Sequence, residues 1–340
     1  MVLDDLTGRR GPAQTWLITG VAGFIGSNLL QELLRRGQQV RGLDNFAAGT
    51  RSNLDQVQQL VTPEQWSRFE MLEGDIRDPA VCGAACAGCD YVLHHAALGS
   101  VPLSLENPAL THEVNVTGTL NMLTAARDRQ VRRLVYASSC AVYGDLEALP
   151  LREGMTGNLL SPYAATKLMN EHYAAVYSRC YGLSTVGLRY FNIFGPRQDP
   201  AGAYAAVIPR WISALLNQQP VTVHGDGETS RDFCYVGNVV EANLRAALSD
   251  RLTDASPRVF NIGSGECTSL NQLYQLLVER LIPRDPRLRD PRPIHDDFRP
   301  GDIRHSQSDI RLAEKWLDYR PGQDLAGGLD MSLEGYCQGK

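Results

Sequence analysis

The chain has 340 residues, of which 43% are hydrophobic and 21% charged, so it can build more than one core and does not have the composition of a disordered protein. Its 33 basic and 38 acidic side chains give a net charge of −5, which argues against a nucleic-acid partner because phosphate binding needs a basic surface. No apolar run approaches the ~20 residues of a membrane span, and residues 1–5 lack the features of a signal peptide. We therefore expect a cytosolic (cytoplasmic) protein with neither a nucleic-acid nor a membrane partner.

Short apolar runs alternate with longer amphipathic stretches through the first half of the chain. Such alternation with short connections predicts a parallel sheet covered by helices on both faces, which is a doubly wound α/β fold. The predicted strands are 15–19, 39–43, 69–72, 91–94, 133–137 and 184–190, and the predicted helices are 24–36, 108–129 and 161–181.

The pattern changes after Asn192, where prolines and the turn Gly225-Asp226-Gly227 divide the chain into shorter pieces. A strand at 258–262 could return to the main sheet, and the residues after it resemble a smaller lobe packed over the carboxyl edge of that sheet. We expect a first domain over 1–190, to which 233–262 returns, and a smaller lobe built from 191–232 and 263–340.

Three glycines, Gly20, Gly23 and Gly26, lie between the first predicted strand and the first predicted helix. Glycines at this spacing permit a tight turn and let a pyrophosphate approach the amides of a helix N-terminus. Asp44 ends the second strand, where a carboxylate accepts hydrogen bonds from ribose hydroxyls and repels a 2′-phosphate. The pattern favours NAD over NADP. Asp75 ends a further strand and is either an adenine ligand or a helix N-cap.

Tyr163 and Lys167 are four residues apart on a predicted helix, so they share one face and the ammonium can approach the phenol. A nearby cation lowers the pKa of a phenol, which at ~10 is otherwise too high for a base at neutral pH. Ser139 ends a predicted strand, at the edge where doubly wound domains bind ligands. The spacing alone also fits a solvated pair, but glycine loop, acid, serine and pair in this order favour a catalytic set.

Three of the eight cysteines, Cys82, Cys86 and Cys89, have a spacing similar to that of some iron–sulfur sites. The surrounding residues instead predict a short alanine-rich helix that stops at Gly88, and cluster ligands normally lie in an extended loop. Cysteine is also a good small buried residue. We expect reduced, buried thiols and no metal site.

These motifs together resemble the extended short-chain dehydrogenase/reductase family, and the resemblance covers nearly the whole chain. Within that family the chain is similar to the nucleotide-sugar 4-epimerases in segments 94–97, 188–192, 225–233 and 299–302. Segments 99–102 and 202–209 resemble the bacterial UDP-N-acetylglucosamine 4-epimerases of surface polysaccharide (lipopolysaccharide O-antigen) synthesis. The resemblance implies a Rossmann domain that holds NAD and a smaller lobe that binds a nucleotide sugar.

The resemblance also assigns roles to individual positions. The implied catalytic residues are Ser139, Tyr163 and Lys167. The implied NAD-binding residues are Gly20, Gly23, Phe24, Ile25, Gly26, Asp44, Asn45, Asp75, Ile76, Ala96, Tyr163, Lys167 and Tyr190. The implied substrate-binding residues are Gly99, Ser100, Ser139, Cys140, Tyr163, Asn192, Ala206, Val207, Arg231, Arg299, Asp302 and Ser306.

The lobe residues fit a substrate that carries two phosphates. Arg231 and Arg299 are guanidiniums suited to bidentate phosphate contact, and Asn192 offers an amide beside them. Without the resemblance, surface salt bridges would be the preferred interpretation of both arginines. Asp302 could orient Arg299 or contact ribose. Relatives tend to carry a serine at Cys140, which leaves the hydrogen bonding around the sugar open.

The implied reaction is C4 epimerisation of UDP-N-acetylglucosamine to UDP-N-acetylgalactosamine through a 4-keto sugar, with UDP-glucose and UDP-galactose as candidate further substrates. Tyr163 would remove the C4 hydroxyl proton, Ser139 would hold the oxygen, and tightly bound NAD would be regenerated in each turnover. A hexuronate or N-acetylated uronate 4-epimerase is the alternative, with Arg304 or His305 as the contact for the carboxylate. A 4,6-dehydratase is disfavoured because no carboxylate follows Ser139. A non-catalytic NAD(P)H sensor is disfavoured because both Tyr163 and Lys167 are present.

Two further expectations come from the resemblance. Relatives dimerise through two long helices from each subunit, so we expect a homodimer that uses 108–129 and 161–181. The count from Arg299 and Asp302 places Ser306 where related epimerases have a residue that limits the size of the sugar. A serine there would leave room for an N-acetyl group, although an ordinary polar loop residue is the alternative interpretation.

Overall fold

The computed structural model describes residues 13–200, 206–253, 256–285, 287–288, 291–298 and 303–337. Seven parallel strands form the main sheet in the order β3-β2-β1-β4-β5-β6-β11, and short strand pairs lie outside it. The strands in chain order are β1 (Thr15–Thr19), β2 (Gln39–Asp44), β3 (Phe69–Glu73), β4 (Tyr91–His94), β5 (Arg133–Ser139), β6 (Thr185–Tyr190), β7 (Ile193–Phe194), β8 (Thr222–His224), β9 (Ser230–Arg231), β10 (Cys234–Tyr235), β11 (Val259–Ile262), β12 (Thr268–Ser269) and β13 (Ile294–Asp296).

Helices cover both faces of the main sheet and build the smaller lobe. They are α1 (Phe24–Arg35), α2 (Arg51–Leu60), α3 (Pro63–Trp66), α4 (Pro79–Cys86), α5 (Val101–Glu106), α6 (Pro108–His112), α7 (Gly118–Asp128), α8 (Pro162–Tyr181), α9 (Val207–Leu216), α10 (Val236–Leu248), α11 (Leu270–Leu281), α12 (Arg311–Leu317) and α13 (Leu325–Cys337). No helix in the described ranges has both the length and the apolarity of a membrane span.

The order of the main sheet confirms the predicted doubly wound α/β fold. Its first six strands have the order of a dinucleotide-binding fold, and the strand predicted at 258–262 returns as β11 beside β6. The inner strands β1, β4, β5 and β6 are mostly buried because helices pack on both faces of the sheet, which explains why they are largely apolar runs in the sequence.

The predicted helix at 108–129 is interrupted. A π-helical turn, Glu113–Thr117, separates α6 from α7. At this turn the side chain of Asn115 binds the backbone of Leu98. It accepts from the amide at 2.8 Å and donates to the carbonyl oxygen at 3.0 Å. The extra residue in the turn is what rotates this side chain toward the loop after β4.

The smaller lobe has an apolar core of its own, which includes Phe194, Trp211, Leu273 and Leu329. Phe24, the first residue of α1, packs against this core from the main sheet's side. The start of α1 therefore adjoins both parts of the molecule.

Candidate functional site

The turn between β1 and α1 has backbone geometry that only glycine allows. Gly20 has φ +71°, and a Cβ there would lie 2.8 Å from the amide nitrogen of Ala96. A Cβ on Gly26 would lie 2.1 Å from the carbonyl oxygen of Gly20. A cavity of about 300 Å³ opens beside this turn, and seven of the predicted NAD-binding residues line it: Gly20, Gly23, Asp44, Asn45, Asp75, Ile76 and Ala96.

The acid at the end of β2 is built into this cavity. Asp44 is buried, and its two carboxylate oxygens accept from the amides of Ala22 and Phe46, each at 2.8 Å. These bonds occupy one lone pair on each oxygen and orient the carboxylate, which can still accept from ribose hydroxyls. A glycine turn and an oriented acid beside a cavity fit the adenosine diphosphate end of a dinucleotide without a 2′-phosphate.

Asp75 is not a helix N-cap, because Asp78 caps α4 instead. Arg77 binds both oxygens of Asp75 at 3.0 and 2.7 Å, and Asn45 donates to one of them at 2.9 Å. Hydrogen bonding to Arg77, partly opposed by burial, lowers the pKa of Asp75 to about 2. The carboxylate lines the cavity while Arg77 holds it.

Three predicted NAD-binding residues direct their side chains away from this cavity. Phe24 packs on the core of the smaller lobe, and Ile25 packs on the core of the main sheet. Tyr190 is buried, with its hydroxyl 2.9 Å from Nε2 of His95 and 2.8 Å from Nδ2 of Asn243. The backbones of Phe24 and Ile25 remain at the start of α1, where a pyrophosphate binds to amides rather than to side chains.

The predicted catalytic residues meet at the carboxyl edge of the sheet. Ser161 caps α8 by accepting from the amide of Ala164 at 3.2 Å, and Pro162 occupies the first helical position, so Tyr163 lies in the first turn. Ser139 ends β5, and its hydroxyl, which accepts from the amide of Ala141 at 3.1 Å, is near enough to the phenol of Tyr163 to lower its pKa. Lys167 is buried one turn further along α8 and donates to the carbonyl oxygen of Ala137 at 2.9 Å.

The pKa values of this pair differ from the sequence-based expectation. Burial raises the pKa of Tyr163 to about 12, and the neighbouring hydroxyl of Ser139 only partly offsets that rise. Burial also lowers the pKa of Lys167 to about 8. Lys167 does not by itself hold the phenol at a low pKa, because its ammonium is bound to Ala137 and lies 5.8 Å from the Tyr163 ring centroid.

A second cavity, of about 280 Å³, lies in the smaller lobe. Four predicted substrate-binding residues line it, namely Asn192, Ala206, Val207 and Arg231. Burial raises the pKa of the Cys140 thiol beside Ser139 to about 11, and the charge of Arg231 opposes that rise. Ser139 is paired in the sheet with Tyr190, two residues before Asn192, so this cavity adjoins the catalytic residues. Sequence reasoning missed its aromatic wall, formed by Phe194, Trp211 and Phe233.

The remaining predicted substrate residues have other positions. Gly99 and Ser100 line neither cavity, and Ser100 caps α5 by accepting from the amide of Leu103 at 3.1 Å. Ser306 is buried, with its amide donating to the carbonyl oxygen of Ser230 at 3.1 Å. Arg299 and Asp302 lie outside the residues that the structure describes.

Two buried polar clusters that support the site were not predicted. Glu171, one turn after Lys167, pairs with Arg189 at 2.7 Å and accepts from the hydroxyl of Ser138 at 2.5 Å. Asp232, which follows Arg231, accepts five hydrogen bonds from the 264–265 loop and from Ser308. A buried carboxylate close in sequence to a predicted site residue is the signal that could have found both.

Cys82 and Cys86 lie on the buried side of α4, and Cys89 follows the helix. All three are in the core, as the helix interpretation expected. Burial raises the pKa of both Cys82 and Cys86 to about 12, so these groups are thiols. Among the residues described, no group of three or more His, Cys, Asp or Glu side chains is placed to hold a metal ion.

Comparison with known proteins places this geometry in a family. Residues 16–263 match the model of the NAD dependent epimerase/dehydratase family. The UDP-glucose 4-epimerase of Mycolicibacterium smegmatis is 36% identical over 321 residues, which are 94% of this chain and 97% of that protein.

Two solved structures share this fold over nearly the whole chain. The UDP-N-acetylglucosamine 4-epimerase of Methanobrevibacter ruminantium M1, in complex with UDP-N-acetylmuramic acid, has a TM-score of 0.87 at 33% identity and covers 97% of this chain and 100% of its own. The UDP-glucuronic acid 4-epimerase of Bacillus cereus, in complex with UDP-glucuronic acid and NAD, has a TM-score of 0.84 at 29% identity, with coverage of 96% and 100%. The chain belongs to the NAD dependent epimerase/dehydratase family of extended short-chain dehydrogenases/reductases, and its cofactor is NAD.

Proposed function

We propose that the protein is a UDP-sugar 4-epimerase whose substrate is UDP-N-acetylglucosamine. The observation that carries the proposal is the position of Ser139 at the end of β5, between β4 and β6. Residues 95–98, just past β4, line the cofactor cavity, and Asn192, just past β6, lines the second cavity. A ligand that extends from the second cavity toward the first would place its reacting carbon beside Ser139 and Tyr163.

Each catalytic side chain has a defined task in this reaction. Tyr163 removes the proton of the sugar's C4 hydroxyl and later returns one, while Ser139 donates to the same oxygen as it becomes a ketone. Lys167 supplies positive charge behind the phenol. The NAD held at the glycine turn would supply the hydride acceptor and donor for C4 and a second positive charge near the phenol. That second charge matters because burial alone holds the phenol at a high pKa.

The second cavity suits the nucleotide end of the substrate. Arg231 offers a guanidinium for a diphosphate, Asn192 offers an amide beside it, and the aromatic wall offers a surface for a base. Because Asn192 lies two residues after Tyr190, the sheet partner of Ser139, a diphosphate held here would leave its sugar on the side of the catalytic residues. Ala206 and Val207, at the start of α9, close the other side.

An uncharged sugar is favoured over a uronate. Arg304, one candidate for a carboxylate contact, already pairs with Asp226 at 2.5 Å, and Nδ1 of His305 is 2.7 Å from the hydroxyl of Ser230. A 4,6-dehydratase is disfavoured for the reason seen in the sequence, since Cys140, Ala141 and Val142 supply no carboxylate next to Ser139. The relatives are named as epimerases of UDP-glucose, UDP-N-acetylglucosamine and UDP-glucuronic acid, so the choice of sugar is proposed separately from the epimerase activity.

One assay tests both the epimerase activity and the choice of sugar. The purified protein is incubated separately with UDP-N-acetylglucosamine, UDP-glucose and UDP-glucuronate, without added NAD, and the C4 epimers are resolved by NMR. We expect conversion of UDP-N-acetylglucosamine to equilibrium with no accumulation of a reduced cofactor. Conversion of UDP-glucuronate alone would overturn the choice of sugar. A requirement for stoichiometric NAD, with net oxidation of the sugar, would overturn the epimerase.

We also propose that the protein is a homodimer that pairs through α8. Met169, Tyr173 and Val176 form an apolar row on one face of this helix and are 43%, 41% and 48% exposed. Leu105 on the neighbouring α5 is 61% exposed. In the described residues, the stretch 108–128 exposes no large hydrophobic side chain, so α5 rather than the predicted second long helix extends the apolar face. Such a face is typical of a helix-mediated interface.

A further inference from the structure

A buried histidine joins the cofactor side of the molecule to the catalytic helix. His94 ends β4, and its Nδ1 lies 2.7 Å from the hydroxyl of Thr19 at the end of β1. Its Nε2 lies 3.0 Å from the hydroxyl of Thr119 in α7. All three side chains are buried, and neither cavity is lined by any of them.

The neighbours of Thr119 determine where the histidine proton resides. The hydroxyl of Thr119 donates its single proton to the carbonyl oxygen of Asn115 at 2.6 Å, and its oxygen accepts from Nδ2 of Asn170 at 3.1 Å. Nε2 of His94 must therefore be the donor in its bond to Thr119. Burial and the nearby charge of Lys167 lower the pKa of His94 to about 3, so the ring carries one proton and Nδ1 is an acceptor.

This tautomer orients the hydroxyl of Thr19. Because Nδ1 is an acceptor, Thr19 donates its proton to it and keeps its lone pairs for the amides of His95 at 3.2 Å and Ala96 at 3.1 Å. Ala96 lines the cofactor cavity and lies against Gly20. One end of the chain of hydrogen bonds thus holds the wall of the cofactor cavity.

The other end holds the catalytic helix on both sides of Lys167. Asn170 donates to Thr119 and also to the carbonyl oxygen of Asn115 at 3.0 Å. The side chain of Asn115 in turn donates to the hydroxyl of Thr166 at 3.1 Å. Thr166 and Asn170 lie on either side of Lys167 in α8, so this half of the network holds the stretch of helix that carries the lysine.

We propose that His94 is a positioning residue that sets the register between the wall of the cofactor cavity and the helix that carries Tyr163 and Lys167. Its acceptor nitrogen, Nδ1, binds Thr19 on the cofactor side, and its donor nitrogen, Nε2, binds Thr119 on the catalytic side. A histidine is suited to this because its two nitrogens have opposite roles on a rigid ring. The inference rests on the proposed function for its activity readout, whereas its NAD readout does not.

Two substitutions of His94 each remove one of its two hydrogen bonds and keep the other. His94→Asn can reproduce the acceptor near Nδ1 but cannot reach Thr119, while His94→Gln can reach Thr119 with its amide but offers no acceptor near Nδ1. Thr119→Val and Thr19→Val remove the same two bonds from the partner side with little change of shape. His172→Gln, on the exposed face of α8, is the matched control.

The experiment measures NAD retained after gel filtration of the holoenzyme, and kcat and KM with saturating NAD added. We expect His94→Asn and Thr119→Val to retain NAD within twofold of the wild type, with kcat at least tenfold lower and KM unchanged. We expect His94→Gln and Thr19→Val to lose at least half of their NAD on the column, with kcat within threefold once NAD is restored.

Equal losses in both pairs, or wild-type behaviour in both, would overturn the proposal in favour of a general packing role. If the His94 variants do not fold, the two Thr→Val variants decide the same question. If the wild type epimerises none of the UDP-sugars, the proposed function fails, and NAD retention alone decides the cofactor half of the inference.

Discussion

Lys167 and Tyr163 lie one helical turn apart, with the ammonium 5.8 Å from the phenol ring centroid and bonded to the backbone of β5 rather than to the phenol. Lys167 is buried and Tyr163 half-buried, and this burial favours the neutral form of each, with a pKa of about 8 for the lysine and about 12 for the tyrosine. The pair is therefore arranged so that a bound cation can shift the phenol toward phenolate.

Tyr163→Phe removes only the phenol oxygen and keeps the ring that packs at the start of α8. We expect kcat to fall by roughly 10²–10⁴-fold because general acid–base catalysis contributes an effect of this size. Epimerisation measured by NMR checks the loss, and circular dichroism checks the fold. Tyr181→Phe, at the exposed end of the same helix, is the control. Near-normal turnover by Tyr163→Phe would remove Tyr163 from the reaction.

Lys167→Met should change how stability depends on pH. The pKa of Lys167 falls from its ordinary value of 10.5 to about 8 on folding, so below pH 8 the folded state pays for a buried charge. Between pH 8 and 10.5 the unfolded chain binds the extra proton, and the wild type gains stability as pH rises. We expect Lys167→Met to be more stable by roughly 1–3 kcal/mol at pH 7, with the difference shrinking above pH 8. Urea unfolding of both proteins from pH 6 to 10 measures this, and a constant difference would contradict the shifted pKa.

The strands and the glycine turn were predictable because each depends on local pattern. A buried parallel strand is a continuous apolar run, and the backbone at Gly20 and Gly26 admits only glycine. The interruption at Glu113–Thr117 was not predictable, since it depends on Asn115 meeting the backbone of Leu98, which lies 17 residues earlier in the chain, before α5 and α6.

The ion-pair partners of the charged groups also could not be predicted from the sequence. Spacing indicates that Asp75 follows a strand, but only the folded chain brings Arg77 onto both of its oxygens. Arg304 was a candidate for a carboxylate contact until the fold brought Asp226 to it. Which of several nearby ions pairs with an arginine is decided by tertiary packing, and it changes the substrate that the site favours.

The buried ion pair between Glu171 and Arg189 should be costly to break and cheaper to remove. Either charge left alone in the interior is uncompensated, so we expect Glu171→Gln or Arg189→Met to destabilise the protein by about 3–5 kcal/mol. The double variant should cost less than the sum of the two. Urea unfolding of the four proteins gives the coupling energy, and additive losses would show that the pair does not act as a unit.

The apolar row on α8 should hold the dimer together. We expect Val176→Lys combined with Met169→Lys to shift the protein to monomer, because two charges would be buried at the interface without partners. Light scattering at micromolar concentration measures the mass. Leu60→Lys, at an exposed apolar position on α2, is the control and should remain dimeric. A wild type that is monomeric at this concentration would contradict the dimer itself.

Ser306 is the residue that we expect to limit the size of the sugar. It is buried, and its backbone is held between strands, with the amide donating to Ser230 at 3.1 Å and the carbonyl oxygen 3.7 Å from the thiol of Cys267. Ser306 lines neither cavity, but a backbone fixed in this way leaves a larger side chain little freedom to turn. We expect a tyrosine ring at this position to occupy the volume that an N-acetyl group needs.

Ser306→Tyr should therefore lower kcat/KM for UDP-N-acetylglucosamine by ten- to a hundredfold, because overfilling a packed site costs about 1–3 kcal/mol. The value for UDP-glucose should stay within threefold, since that sugar has only a hydroxyl at C2. Ser306→Ala leaves the space open and should keep the wild-type ratio between the two substrates. Parallel NMR assays with both sugars measure that ratio for the three proteins. A ratio in Ser306→Tyr equal to that of the wild type, whatever the absolute rates, would show that another residue limits the size of the sugar.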